Sequence, residues 1–166
     1  MESNQIRAAE PNNTKPMDGE GTGRPVLSKK KADEYIEQLD FTDLKAKLVD
    51  GGFGGNWTKE RAEHAEKQYR RWLHLCVKYD STETLSPSVD MDEFWHAHIL
   101  DTHAYQRDCE AIFGYYRHHN PYFGLRGEDD YRNLLKVAAR TDELYLENFG
   151  EALVDFDNTA QTAQQE

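Results

Sequence analysis

Cysteine is scarce in this chain of 166 residues, which has two, Cys76 and Cys109. Two thiols cannot build a dense disulfide framework or, by themselves, a four-cysteine zinc site. The first 16 residues also lack the apolar centre of a secretory signal peptide. Because both features are typical of proteins in a reducing compartment, we expect a cytoplasmic location.

Long apolar runs and an excess of basic residues are missing as well. No stretch approaches the roughly 20 apolar residues of a membrane span, so we expect no membrane partner. The chain has 20 basic and 31 acidic residues, which gives a net charge of −11. This charge argues against a nucleic-acid partner, although a basic face on residues 67–78 leaves that alternative open.

Large apolar side chains are rare at both ends of the chain. Residues 1–28 have almost none and contain three prolines, and residues 158–166 have none. Such segments bury too little apolar area to offset an ordering entropy of about 1–2 kcal/mol per residue. We therefore predict a disordered tail over residues 1–28, a helical domain over 29–153 and a disordered acidic tail over 154–166. Either tail could bind a protein partner.

The segment between the tails has a helical period. An apolar stripe recurs at steps of three and four residues: Ala62, Ala65, Tyr69, Trp72, Leu73 and Cys76. Further helices are predicted over about 29–39, 44–49, 102–113 and 129–139. Another should begin at about Met91, because Asp90 and Glu93 form a capping box, and a last one should begin at Thr141. Strand-like alternation is not found. The sequence predicts an all-α fold, a compact multi-helix single domain.

Histidines are concentrated in one stretch of the chain. Five of the seven lie between residues 96 and 119, namely His96, His98, His103, His118 and His119. A cysteine and three aspartates lie in or beside the same stretch: Cys109, Asp92, Asp101 and Asp108. Imidazole, thiolate and carboxylate groups are ligands of zinc and iron. The stretch therefore predicts a site for a divalent metal ion, zinc or iron.

Helix geometry limits which of these side chains can share an ion. His96 and His98 lie about 200° apart around a straight helix, so His98 faces the buried side and His96 faces the same way as Asp92. Cys109 would lie about 16 Å from His98 along an unbroken helix, at about 1.5 Å per residue. Ligands of one zinc ion lie about 3–4 Å apart. A shared site therefore requires a break in the helix, and Asp101 is an N-cap residue at which a second helix can start.

Other interpretations of these residues stay open. The histidines could hydrogen-bond to phenols and carboxylates in the core, in which case the protein would be a non-enzymatic interaction or adaptor module. The aromatic turn YYRHHNPYFG, residues 115–124, could then contact a partner. Cysteine-protease chemistry would combine Cys109 with a histidine and Asn120. The glycine-rich loop, residues 51–55, lacks the Lys and Ser/Thr of a P-loop and is interpreted as a flexible connection.

The order of several motifs resembles a known family. LSPSVD at residues 85–90, WHAHIL at 95–100 and HHNP at 118–121 are similar to the glycine-rich domain-containing protein-like family, across about residues 30–150. The resemblance implies a helical domain whose distinguishing site contains Trp95, His96, His98, Cys109, His118 and His119. The family typically has Pro where this chain has Thr102, which agrees with a helix break. The chain lacks the long glycine-rich region of the plant members.

These observations together predict a small metal-binding helical protein with a histidine-rich site, which could be a metalloenzyme of unknown substrate. The candidate ligands are His96, His98, Cys109, His118 and His119. Asp92 or Asp101 would orient an imidazole ring by hydrogen bonding. The sequence assigns no catalytic base and no substrate.

Overall fold

The computed structural model describes residues 28–54, 57–79 and 82–156. Over these ranges the chain forms the helices α1 (Lys29–Glu37), α2 (Thr42–Val49), α3 (Lys59–Tyr79), α4 (Val89–Leu100), α5 (Thr102–Phe113) and α6 (Glu128–Phe149), with a 3-10 turn at Gly52–Gly54. The described segments contain no β-strand, so the predicted all-α fold is confirmed. None of the described helices is both long and apolar enough to cross a membrane. The N-terminal tail predicted by the sequence lies outside the described residues, except for Ser28.

The long helix α3 is the centre of the domain. Helices α1, α2, α4 and α6 pack against it, and α5 packs against α1 and α4. The apolar stripe of α3 is buried over its whole length, as its spacing predicts. Trp72 on this stripe contacts Trp95 of α4, with 4.7 Å between the ring centroids. This contact holds the histidine-bearing helix α4 against the core.

The predicted break between α4 and α5 is confirmed. Asp101 follows the end of α4 with φ −80° and ψ 72°, outside the helical region. Its side-chain oxygen Oδ1 accepts a hydrogen bond from the backbone N–H of Ala104 at 3.3 Å, so it caps α5. Gly114 ends α5 in the left-handed conformation, at φ 77°. The chain after Gly114 can therefore turn back towards α4.

The predicted start of α4 was wrong. The capping residue is Ser88, whose Oγ accepts from the backbone N–H of Met91 at 3.5 Å, and the helix begins two residues earlier than the capping box predicts. Asp90 is buried inside the first turn instead. Its carboxylate accepts from Arg61 Nε at 3.0 Å and from the backbone N–H of Phe156 at 2.8 Å. These distant partners determine the position of Asp90.

Helix α6 also differs from the prediction, which divided it at Thr141. The structure has one continuous helix here, and Thr141 is buried inside it. Its hydroxyl donates to the carbonyl of Val137 at 2.8 Å and accepts from the backbone N–H of Ser86 at 2.9 Å. A threonine whose hydroxyl is bonded in this way is accommodated within a helix and does not need to start one.

The described chain continues past Leu153, the residue at which the sequence ends the helical domain. Residues 154–156 pack against α3 and α4. The carbonyl of Val154 lies 2.8 Å from His64 Nε2, and Asp155 Oδ1 accepts from the backbone N–H of Asp90 at 2.9 Å. The remainder of the predicted C-terminal tail lies outside the described residues.

Candidate metal centre

Helix α4 carries its two histidines on opposite faces. The side chain of His96 is 47% exposed, whereas that of His98 is 3% exposed. Phe94 and Trp95 on the inner side of α4 are buried in the core. The separation predicted by the helical period is therefore confirmed.

Three side chains converge on the outer face of α4, and we refer to Asp92, His96 and His119 as the Asp–His cluster. His119 Nε2 lies 3.0 Å from His96 Nε2 and 2.9 Å from Asp92 Oδ1. Asp92 Oδ2 lies 3.6 Å from His96 Nε2. Ligand atoms of a single zinc ion lie about 3–4 Å apart, so the three side chains are spaced as ligands of one ion.

Local structure explains why these three residues meet. Asp92 and His96 are four residues apart on α4 and therefore share one face. His119 returns to this face through the turn after Gly114. The carboxylate lies in the first turn of α4, where the helix dipole favours a negative charge.

A buried hydrogen-bonded chain holds His119 in position. Trp95 Nε1 donates to the hydroxyl of Tyr105 at 2.9 Å, and this hydroxyl donates to the backbone carbonyl of Arg117 at 2.6 Å. The ring of Trp95 also contacts the ring of His119, with 4.6 Å between centroids. The core thus fixes the segment that delivers this imidazole to α4.

The Asp–His cluster has donor groups and solvent access that would suit a metal ion. Asp92 is 32% exposed and His119 is 16% exposed, so an ion could enter from solvent. Two imidazoles and one carboxylate are a donor set of catalytic zinc and of non-haem iron(II) sites. Three protein ligands leave coordination positions open for water or another ligand.

His98 belongs to a separate, buried network. Its Nε2 lies 3.1 Å from Asp108 Oδ2, and its Nδ1 lies 3.0 Å from the hydroxyl of Tyr69. Burial raises the pKa of Tyr69 well above its usual 10, so the phenol keeps its proton and is able to donate to Nδ1. Burial also raises the pKa of Asp108, but hydrogen bonds from His98, Tyr35 and Arg107 outweigh it and the net pKa is lowered. Both nitrogens of His98 therefore have partners away from the Asp–His cluster.

Comparisons with known proteins agree with the resemblance that the motifs predict. A sequence model of the UCP032817-like family matches residues 31–142. The chain belongs to this family. It is also similar to glycine-rich domain-containing protein 1 of Arabidopsis thaliana, with 30% identity over 89 residues, which are 50% of this chain and 10% of that protein. The chain thus spans about a tenth of the plant relative, and no solved structure matches it.

The UCP032817-like match contains every predicted ligand, but the structure brings only some of them together. His96 and His119 meet in the Asp–His cluster, which is the group that could hold an ion among the described residues. His118 is exposed and contacts the ring of Tyr116, with 4.9 Å between centroids. Cys109 is buried, and burial raises the pKa of its thiol above the usual 9.0. A raised thiol pKa argues against the cysteine-protease alternative, which needs a thiolate.

Asp92 is the member of the cluster that sequence reasoning did not name as a ligand. Sequence reasoning assigned it, or Asp101, the weaker role of orienting an imidazole ring. The signal that could have found it is its four-residue spacing from His96, which places both side chains on one face of α4.

Proposed function

We propose that this UCP032817-like domain binds one divalent transition-metal ion, zinc or iron, through Asp92, His96 and His119. The observation that carries the proposal is the convergence of two imidazole nitrogens and a carboxylate, whose ligand atoms all lie within 4.8 Å of one another. Hydrogen bonds join these groups only in pairs, whereas one metal ion can bind all three atoms at once. This spacing supports an ion as the shared partner.

The donor set also supports a metalloenzyme. Three protein ligands and an open position are the arrangement of catalytic zinc sites, in which the ion activates water. The same two-histidine, one-carboxylate set binds iron(II) in oxygenases. Metal analysis distinguishes these two chemistries, and the cluster residues would have the same ligand roles in either.

The remaining predicted ligands have other roles in this proposal. His98 completes a buried hydrogen-bonded network, and Cys109 packs in the core. His118 is exposed next to the cluster and serves as a natural control. A partner-binding role for the aromatic turn stays a prediction, to which the 39% exposure of Tyr116 and the 58% exposure of Tyr122 lend support.

Equilibrium dialysis of tag-free protein against zinc or, without oxygen, iron(II) tests the proposal. We expect one bound ion per chain. His96→Ala, His119→Ala and Asp92→Asn should each weaken binding by about 100-fold or more, because each removes one of three ligands.

The matched control is His118→Ala, which removes an exposed imidazole next to His119 and should retain the ion. The proposal is contradicted if wild-type protein holds less than about 0.2 ion per chain at saturating metal, or if the control loses the ion as the cluster variants do.

A further inference from the structure

A cleft of about 220 Å³ lies beside the Asp–His cluster, and we refer to it as the Trp95 cleft. Asp92 and His119 both line it, together with Trp95. His96 lines a different cleft, which also includes Leu100. An ion in the cluster would therefore border the Trp95 cleft through two of its three ligands.

The walls of the Trp95 cleft are largely apolar. Pro87, Pro121, Phe123 and Leu134 line it in addition to Trp95. Two of the polar side chains at its edge, Ser88 and Asn120, have partners within the protein. Ser88 Oγ accepts from a backbone N–H of α4, and Asn120 Oδ1 accepts from the backbone N–H of Tyr122 at 3.1 Å. The ion would add a positively charged anchor for a molecule in this cleft.

Two sequence motifs meet at this cleft, and only one of their residues, His119, is a proposed metal ligand. LSPSVD at residues 85–90 contributes one wall, and HHNP at 118–121 contributes another. The segment after HHNP packs closely on α6, because a Cβ added at Gly124 would lie 2.5 Å from Leu134 Cδ2. Gly124 also has φ +88°, which favours glycine. The close packing fixes this wall of the cleft.

The charge of a bound ion and the volume of the Trp95 cleft indicate which ligands the cleft would bind. A divalent ion bound by one carboxylate keeps one net positive charge, which favours an anionic ligand. The cleft is smaller than the roughly 300–1,000 Å³ of pockets that hold drug-sized molecules. We propose that it binds small ligands that carry a metal-coordinating oxygen anion at one end and a short apolar group, of about the size of one ring, at the other. This inference rests on the metal site proposed above.

Calorimetric titration of the zinc-loaded full chain with two hydroxamates tests the inference. Acetohydroxamate and benzohydroxamate have the same metal-binding oxygens and differ in the apolar group. We expect benzohydroxamate to bind at least about tenfold more tightly, because the phenyl ring is buried against the cleft walls. Equal affinities would overturn the inference.

A matched pair of variants locates the apolar group. Val89 lies at the Trp95 cleft and is 64% exposed, so Val89→Trp can fill the cleft without entering the core. Leu100→Trp is the control, because Leu100 is 60% exposed at the other end of α4 and lines the other cleft. Val89→Trp should abolish the preference for benzohydroxamate and leave acetohydroxamate binding unchanged. If Leu100→Trp abolishes the preference instead, the ligand occupies the other cleft and the inference is wrong.

Zinc content, measured on the same samples, separates the two proposals. Protein without bound zinc would contradict the proposed metal site. Protein with one bound zinc and no preference between the hydroxamates would contradict the ligand class alone.

Discussion

His96 and His98 stand two positions apart on α4 and have opposite environments. Both nitrogens of His98 are bonded to buried groups, Tyr69 on one side and Asp108 on the other. Nε2 of His96 faces a second imidazole nitrogen, from His119, on a half-exposed surface. The comparison teaches that a histidine-rich sequence does not by itself define a metal site. The partners and the burial of each ring decide which histidines are available to an ion.

The buried network around His98 and the Asp–His cluster differ in how their hydrogen-bond donors and acceptors are paired. In the buried network each nitrogen of His98 has a partner, since the Tyr69 hydroxyl is able to donate to Nδ1 and the ionised Asp108 accepts from Nε2. The Asp–His cluster has no such complete pattern. The Nε2 atoms of His96 and His119 face one another at 3.0 Å, and a carboxylate competes for the same proton. The first region is satisfied without an ion, and in the proposed function an ion would complete the second.

The largest loss of stability should come from removing the buried imidazole of His98. His98→Ala removes the hydrogen-bond partner of Tyr69 and one of the three partners of Asp108, and it should lower the free energy of unfolding by about 3 kcal/mol. His96→Ala removes a half-exposed ring and, with a chelator present, should change the free energy of unfolding by no more than about 0.5 kcal/mol. Urea denaturation of both variants measures the difference. Equal destabilisation by the two substitutions would contradict the contrast between the regions.

Replacing Asp108 should cause a smaller loss of stability, and this loss should depend on pH. The pKa of Asp108 in the folded protein is below its usual 3.8, so the stabilisation from its ionised form is complete above that value and is lost as the pH falls through the folded pKa. Asp108→Asn should therefore cost about 2 kcal/mol near pH 6, and this cost should shrink below about pH 3.8. Urea denaturation across this range measures it.

The control for the pH experiment is Asp129→Asn, which changes an exposed carboxylate on α6 and should alter the free energy of unfolding by no more than about 0.5 kcal/mol. A cost of Asp108→Asn that stays constant down to the lowest pH at which the protein remains folded would show that the ionised carboxylate is not what stabilises this network.

The smallest loss of stability should come from substitutions at Asp101, the residue at the break between α4 and α5. Asp101→Ala removes the N-cap of α5 and should lower the free energy of unfolding by about 1 kcal/mol. Asp101→Asn keeps a capping oxygen and should lower the free energy of unfolding by only about 0.3 kcal/mol. Thermal and urea denaturation check both values. If the two substitutions cost the same, the cap does not stabilise the start of α5.

Local patterns predicted most of the fold. The three- and four-residue spacing on α3 identified its buried face, and Asp101 and Gly114 marked the ends of α5. The helical period also placed His96 and His98 on opposite faces of α4. These features depend on residues close in sequence, which is why the sequence alone revealed them.

Features that depend on distant partners were missed. The start of α4 was misplaced because Asp90 bonds to Arg61, which lies 29 positions earlier. The continuity of α6 was missed because the hydroxyl of Thr141 is bonded to Ser86. The contact between Asp92 and His119 was not predicted, because it spans 27 positions. No local spacing encodes such contacts.

The central claim, that Asp92, His96 and His119 hold one metal ion, is tested most directly by anomalous diffraction from crystals grown with zinc. We predict one strong peak about 2.0–2.2 Å from Nε2 of both histidines and from a carboxylate oxygen of Asp92. A peak at His98 or Cys109, or no peak within that distance of the cluster at saturating zinc, would contradict the claim.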